Sequence, residues 1–177
     1  MRREKPKQAV FLLLAELLRS DRLPPVTLAV IALNALIYLE LFDFDYPSLF
    51  SVCLSAHEII YRKEWLRLVL APFFHGDDWH LYYNMISLSI KGRSLEKKYG
   101  SKYFFVLLVV FTFLFSIVYV GIQYALFMSF DIQSLKSCAV GFSGNLIYSK
   151  SFEKKLIFFL IHRSNIRPKS VNYTQFT

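Results

Sequence analysis

Apolar residues in this chain come in long blocks separated by polar and basic punctuation. The first block, Ala9-Val10-Phe11-Leu12-Leu13-Leu14-Ala15, is short and sits among the six basic residues of positions 1–22. A basic start followed by a short apolar run resembles a signal peptide, but Glu16, Arg19, Asp21 and Arg22 follow with no small-residue cleavage site. The pattern therefore predicts an amphipathic cytosolic helix lying on the membrane surface. After Pro24-Pro25, residues 26–42 are apolar except for Thr27, Asn34 and Glu40. At about 17 residues this segment meets the lower limit for crossing a bilayer, and proline at its start suits a helix N-terminus, where the missing N–H costs nothing.

Residues 43–77 mix Tyr46, Pro47, Cys53, Trp65 and Arg67 with apolar side chains, too punctuated for a span, and predict an interfacial loop containing short helices. Residues 78–98 are broken by Trp79, His80, Asn84, Ser87 and Ser89. A second spanning helix is still expected there, with its polar residues turned towards protein or a water-filled cavity. Residues 104–128 carry no formal charge over about 25 positions and form the clearest transmembrane helix. A fourth span fails, because Lys150, Glu153, Lys154 and Lys155 follow Ser143 closely. Each charge costs about 2.5–3.5 kcal/mol at mid-bilayer, more than the neighbouring Leu, Ile and Phe return. The expected fold is an all-α membrane protein, an incomplete helical bundle with three transmembrane helices and a broken fourth. Its parts are the N-terminal segment 1–22, the bundle 24–146 and a divergent basic tail, 147–177.

Composition sharpens this picture. The chain is 55% hydrophobic and 18% aromatic with 19% charged residues, too apolar for an ordinary soluble domain. Its net charge of +8 would suggest nucleic acid, but the basic residues cluster beside the apolar blocks, and no basic stripe with interleaved aromatics is left over. They number six before residue 26, three in 43–77, five in 91–102, one in 129–138 and six after 147. The first and third groups are accordingly cytosolic, the second and fourth on the far side, and Ser143 falls near the lumenal or external face. Cys53 and Cys138 belong to no metal-ligand spacing. If both are lumenal they could pair, but sequence does not give their distance. His75 with Asp77, Asp78 and His80 offers ligand types for a metal, yet such groups at a membrane edge are more often solvated, so no metal or cofactor is expected.

Three features carry the candidate chemistry. They are Trp65-Leu66-Arg67 in the loop, His80-Leu81-Tyr82-Tyr83-Asn84 on the second span, and Gly141-Phe142-Ser143-Gly144 after the third. His80 and Asn84, four apart, share one helix face and form a pair of donors for a developing oxyanion. Ser143, between Gly141 and Gly144, can open a helix whose free N–H groups add further donors, while the glycines permit close substrate approach. Taken singly, each feature has a plainer explanation. A small residue at Ser143 lets helices approach, His80 and Asn84 can bond between helices, and Trp65 and Arg67 read as an interfacial aromatic and a snorkelling cation.

In this order the motifs make residues 24–146 resemble the rhomboid family of intramembrane serine proteases, most closely its eukaryotic endoplasmic-reticulum branch. The resemblance implies a partial rhomboid bundle in which Ser143 is the nucleophile, His80 and Asn84 line the oxyanion hole beside Gly141 and Gly144, and Trp65 and Arg67 belong to a membrane-dipping first loop. It further implies transmembrane protein substrates and an integral, multi-pass membrane location. The family's general base, a glycine-flanked histidine on a later helix, has no counterpart here, since His162 lies in Leu160-Ile161-His162-Arg163-Ser164. The expectation is a chain truncated after the serine motif, with little hydrolytic activity, or else a non-catalytic relative that binds transmembrane clients. Asn172-Tyr173-Thr174 is the only glycosylation acceptor and would report whether the tail is lumenal.

Overall fold

The structure, a computed structural model, describes residues 8–19, 22–41, 45–130 and 138–142. Ser143, Gly144 and the tail 147–177, including His162 and Asn172, lie outside them. The described residues form an all-α arrangement without a named strand. In chain order the helices are α1 (Gln8–Arg19), α2 (Pro25–Leu39), the short α3 (Leu49–Val52), α4 (Ala56–Tyr61) and α5 (Arg67–Leu70), a 3₁₀ turn Ala71–Phe73, then α6 (Asp78–Tyr99) and α7 (Ser101–Phe130).

Among the described helices, only α7 is both long and apolar enough to cross a membrane; α2 is apolar but has 15 residues. α6 is long at 22 residues but carries Lys91, Arg93, Glu96, Lys97 and Lys98 in its second half. Of its interrupting residues, Asn84 and Ser89 turn inwards and are buried, as is Glu96, whereas His80 and Ser87 are half-buried and Trp79 is exposed.

Glu96 organises one end of the bundle. α2 begins after Pro24, which has no side-chain oxygen to cap the first N–H groups. Glu96 caps it instead, accepting from Val26 N (2.9 Å), Thr27 N (2.8 Å) and Thr27 Oγ1 (2.8 Å), and from Ser101 Oγ at the start of α7 (2.7 Å). A carboxylate at two helix N-termini also complements their dipoles. Gly92 permits the close approach of α2 to α6, because a Cβ there would stand 2.6 Å from Thr27 Oγ1.

At the other end, the Asp78 carboxylate accepts the Ala9 N–H at 3.0 Å. α1 therefore runs beside α6 in the same direction, and α2 returns antiparallel. Ala9 and Leu13 are buried, and Leu13 joins Ile31, Tyr38, Leu81, Met85, Leu88, Phe104 and Phe142 in the core. The helix expected within 1–22 forms as Gln8–Arg19, and its Ala9 and Leu13 side packs on α6. The physical reason is that α6 offers both an apolar groove and a carboxylate for the first N–H groups, neither visible in the local pattern.

Between α2 and α6, the loop that carries α3 to α5 leans on α7. Ser116 Oγ donates to Leu68 O (3.1 Å), and Gln123 Oε1 accepts from Ala56 N (2.8 Å). Ser116 lies midway along α7, about 22 Å from its start at 1.5 Å per residue, so the loop reaches half the length of that helix.

Candidate active site

α6 starts at Asp78 because Asp77, in extended conformation, caps it: the Asp77 Oδ1 accepts the His80 N–H at 2.8 Å. This start places His80 in the first turn and Asn84 one turn further along the same face. Asn84 is buried, and its Nδ2 has no hydrogen-bond partner among the described residues. A buried amide donor left unpaired costs about 1–3 kcal/mol, and such a cost at a polar cluster calls for an acceptor.

The segment 138–142 is brought to this face by three ties. Cys138 is disulfide-bonded to Cys53, Leu54 and Ala139 exchange a pair of backbone hydrogen bonds (2.8 and 3.1 Å), and Gly141 N donates to Ala71 O at 3.0 Å. Gly141 has φ +101°, a conformation that favours glycine. A Cβ on it would lie 2.5 Å from His80 Cε1, 2.6 Å from His80 Nε2 and 3.2 Å from Asn84 Nδ2. The Gly141 backbone thus rests directly on the His80 and Asn84 side chains, and Phe142 follows into the core.

Of the candidate residues, the structure brings His80, Asn84 and Gly141 together. Trp65 and Arg67 part company. Trp65 is about half exposed, beside the exposed Leu66, whereas Arg67 is buried. Arg67 is not a snorkelling cation: its Nη1 donates to Phe50 O (2.7 Å) and Cys53 O (3.1 Å), and its Nε and Nη2 both bind Glu64 Oε2 at 2.6 Å. Its role is to fold the loop on itself, because five fixed donors can satisfy several carbonyls at once.

His75 is the residue that sequence reasoning undervalued. It is 2% exposed, neither ring nitrogen makes a hydrogen bond of ordinary geometry with a described residue, and its ring meets that of His80 edge-on at 5.2 Å. Burial, reinforced by the neighbouring His80, pushes its pKa down to about 3; the Phe73 backbone and Asp77 offset this only in part. His75 therefore stays neutral in the fold while the unfolded chain binds a proton below its ordinary 6.5. Stability should fall as pH drops from 6.5 towards 3, by up to about 1.4 kcal/mol per pH unit. Denaturant titrations across that range should show this slope reduced in His75→Gln. Among the described residues, no three His, Cys, Asp or Glu side chains converge as metal ligands.

Comparison with known proteins places these motifs in one family. The Rhomboid domain profile matches residues 62–149, a stretch that includes Trp65, Arg67, His80, Asn84, Gly141, Ser143 and Gly144. Rhomboid-related protein 4 of Homo sapiens is 43% identical over 131 residues, 73% of this chain and 40% of the human protein. Its Mus musculus namesake is 39% identical over 131 residues, with the same two shares. Rhomboid-like protein 14, mitochondrial, of Arabidopsis thaliana is 35% identical over 140 residues, 77% of this chain and 42% of the plant protein. The chain thus spans about 40% of the length of these curated relatives. No solved structure matches it. With the helical bundle, the first-loop arginine and the His80, Asn84 and Gly141 cluster in the same matched stretch, the chain belongs to the rhomboid family of integral membrane proteins.

Proposed function

We propose that this chain carries the nucleophile and oxyanion half of a rhomboid-type serine endopeptidase site acting on transmembrane proteins. Ser143 is the nucleophile, and His80 and Asn84 stabilise the oxyanion, with the Gly141 and Gly144 backbone giving access. The observation behind this reading is the contact of Gly141 with His80 and the unpartnered Asn84 Nδ2. Ser143 follows Gly141 by two positions in the sequence. Buried donors held ready for a developing negative charge are the strongest single device for acyl transfer.

In this reading α2, α6 and α7 all cross the bilayer, with the basic Glu96 end cytosolic and the His80 end lumenal. A disulfide between Cys53 and Cys138 suits an oxidising lumen such as that of the endoplasmic reticulum. Hydrolysis by this chain alone is slow, because a serine without a paired base is a poor nucleophile and the sequence supplies no glycine-flanked histidine after Ser143. Fluorophosphonate labelling of the purified chain tests this. Faint labelling, little above that of Ser143→Ala, is expected. Strong labelling abolished by Ser143→Ala would overturn the slow-hydrolysis part, and complete absence of Ser143-dependent labelling the nucleophile assignment.

A second reading, client binding without cleavage, draws on the exposed Trp79, Tyr83 and Ile90, which stripe α6 beside the His80 face. It requires client capture to be indifferent to Ser143→Ala.

A further inference from the structure

The disulfide is asymmetric in its surroundings. Cys53 is 3% exposed, whereas Cys138 is exposed. The Cys53 Sγ also lies 3.8 Å from Arg67 Nη1, a guanidinium that Glu64 pairs through its other nitrogens. Thiol–disulfide exchange depends on which sulfur can be reached and on how well the other leaves as a thiolate. A cation beside the departing sulfur stabilises it. Access favours attack at Cys138, and charge favours departure of Cys53.

Three ties of the segment 138–142 lie close to this bond, while Phe142 is anchored separately in the core. Cys138 is tied to Cys53, Ala139 to Leu54, and Gly141 to Ala71, all within the loop that Arg67 holds together. The disulfide is the one covalent tie among the three, and it closes a separation of 85 residues. Without it, three hydrogen bonds at about 1 kcal/mol each and the burial of Phe142 must hold the segment against the entropy of a long loop.

We propose that Cys53–Cys138 is a thiol-reducible latch on the candidate active site. A thiolate attacks Cys138 Sγ, forming a mixed disulfide there, while the S–S bond breaks and its electron pair leaves with Cys53, which then takes up a proton. With a dithiol, the second thiol resolves the mixed disulfide, leaving two protein thiols and an oxidised reductant. The segment 138–142 then loosens from Leu54 and Ala71, and Gly141 withdraws from His80 and Asn84. The latch bears on the site under Proposed function and rests on that reading for its importance, but its chemistry is observable without hydrolysis.

The oxidised full chain in detergent micelles, treated with glutathione, alkylated and digested, reports the site of attack. Glutathione should be found on Cys138 in preference to Cys53 by about tenfold. Modification chiefly of Cys53, or alkylation of both cysteines before any reductant is added, overturns the proposal. Hydrogen exchange with and without dithiothreitol reports the release. Amides of residues 53–54 and 138–142 should exchange at least about tenfold faster after reduction, with α7 unchanged. The Cys53→Ser/Cys138→Ser chain should match the reduced protein. Exchange unaltered by reduction also overturns the latch. A latch that opens as described in a chain whose labelling ignores Ser143→Ala upholds the latch and tells against the peptidase reading.

Discussion

Replacing Glu96 with Ala should destabilise the bundle by about 4 kcal/mol, the largest single effect expected outside the core. The side chain is buried and accepts four hydrogen bonds from Val26, Thr27 and Ser101. Alanine leaves two helix N–H groups and two hydroxyls without an acceptor, each worth about 1 kcal/mol or more when buried. Glu96→Gln keeps an acceptor oxygen but loses the charge that favours a helix N-terminus, and should cost roughly half as much. Denaturant unfolding in mixed micelles measures both. A loss below 1 kcal/mol for the alanine variant would mean that water reaches these donors in the folded chain.

Gly141→Ala should act locally, with a large effect. A φ of +101° strains any side chain by about 1–2 kcal/mol, and the new methyl group would meet the His80 ring at 2.5–2.6 Å. The segment can escape only by lifting away, so exchange at Ala139 and the neighbouring amides should rise about a hundredfold while global unfolding barely moves. Gly100 gives the control. Its φ is +82° with nothing within 4 Å of a Cβ, so Gly100→Ala meets the backbone cost alone. Equal effects at the two glycines would remove the contact with His80 from the account.

Local patterns revealed the long elements. The polar but helical stretch at 78–98 became α6 (Asp78–Tyr99), and the uncharged run became α7 (Ser101–Phe130). The pairing of His80 with Asn84 was legible because it depends only on the helical repeat. What sequence did not yield lies in contacts between distant positions. The carboxylate of Glu96 reads locally as one more charge at the end of a span, yet three of its four hydrogen bonds come from Val26 and Thr27, about 70 residues away. Arg67 looked like a surface cation because nothing nearby announces the carbonyls of Phe50 and Cys53 that surround it. Sequence alone gives no separation for the sulfurs of Cys53 and Cys138, and nothing near Ala9 points to its acceptor Asp78, 69 residues on. The three-span arrangement likewise exceeds what length and hydropathy alone support, since only α7 meets both measures.

The Glu96 junction has a mechanical consequence. The starts of α2 and α7 are pinned to the last turn of α6 at a single carboxylate, like ribs joined at the rivet of a fan. Splaying these three helices apart at the far end leaves the rivet intact, whereas parting them at the rivet breaks four charge-assisted bonds at once. Relative motion of these three helices should therefore be least at the Glu96 end.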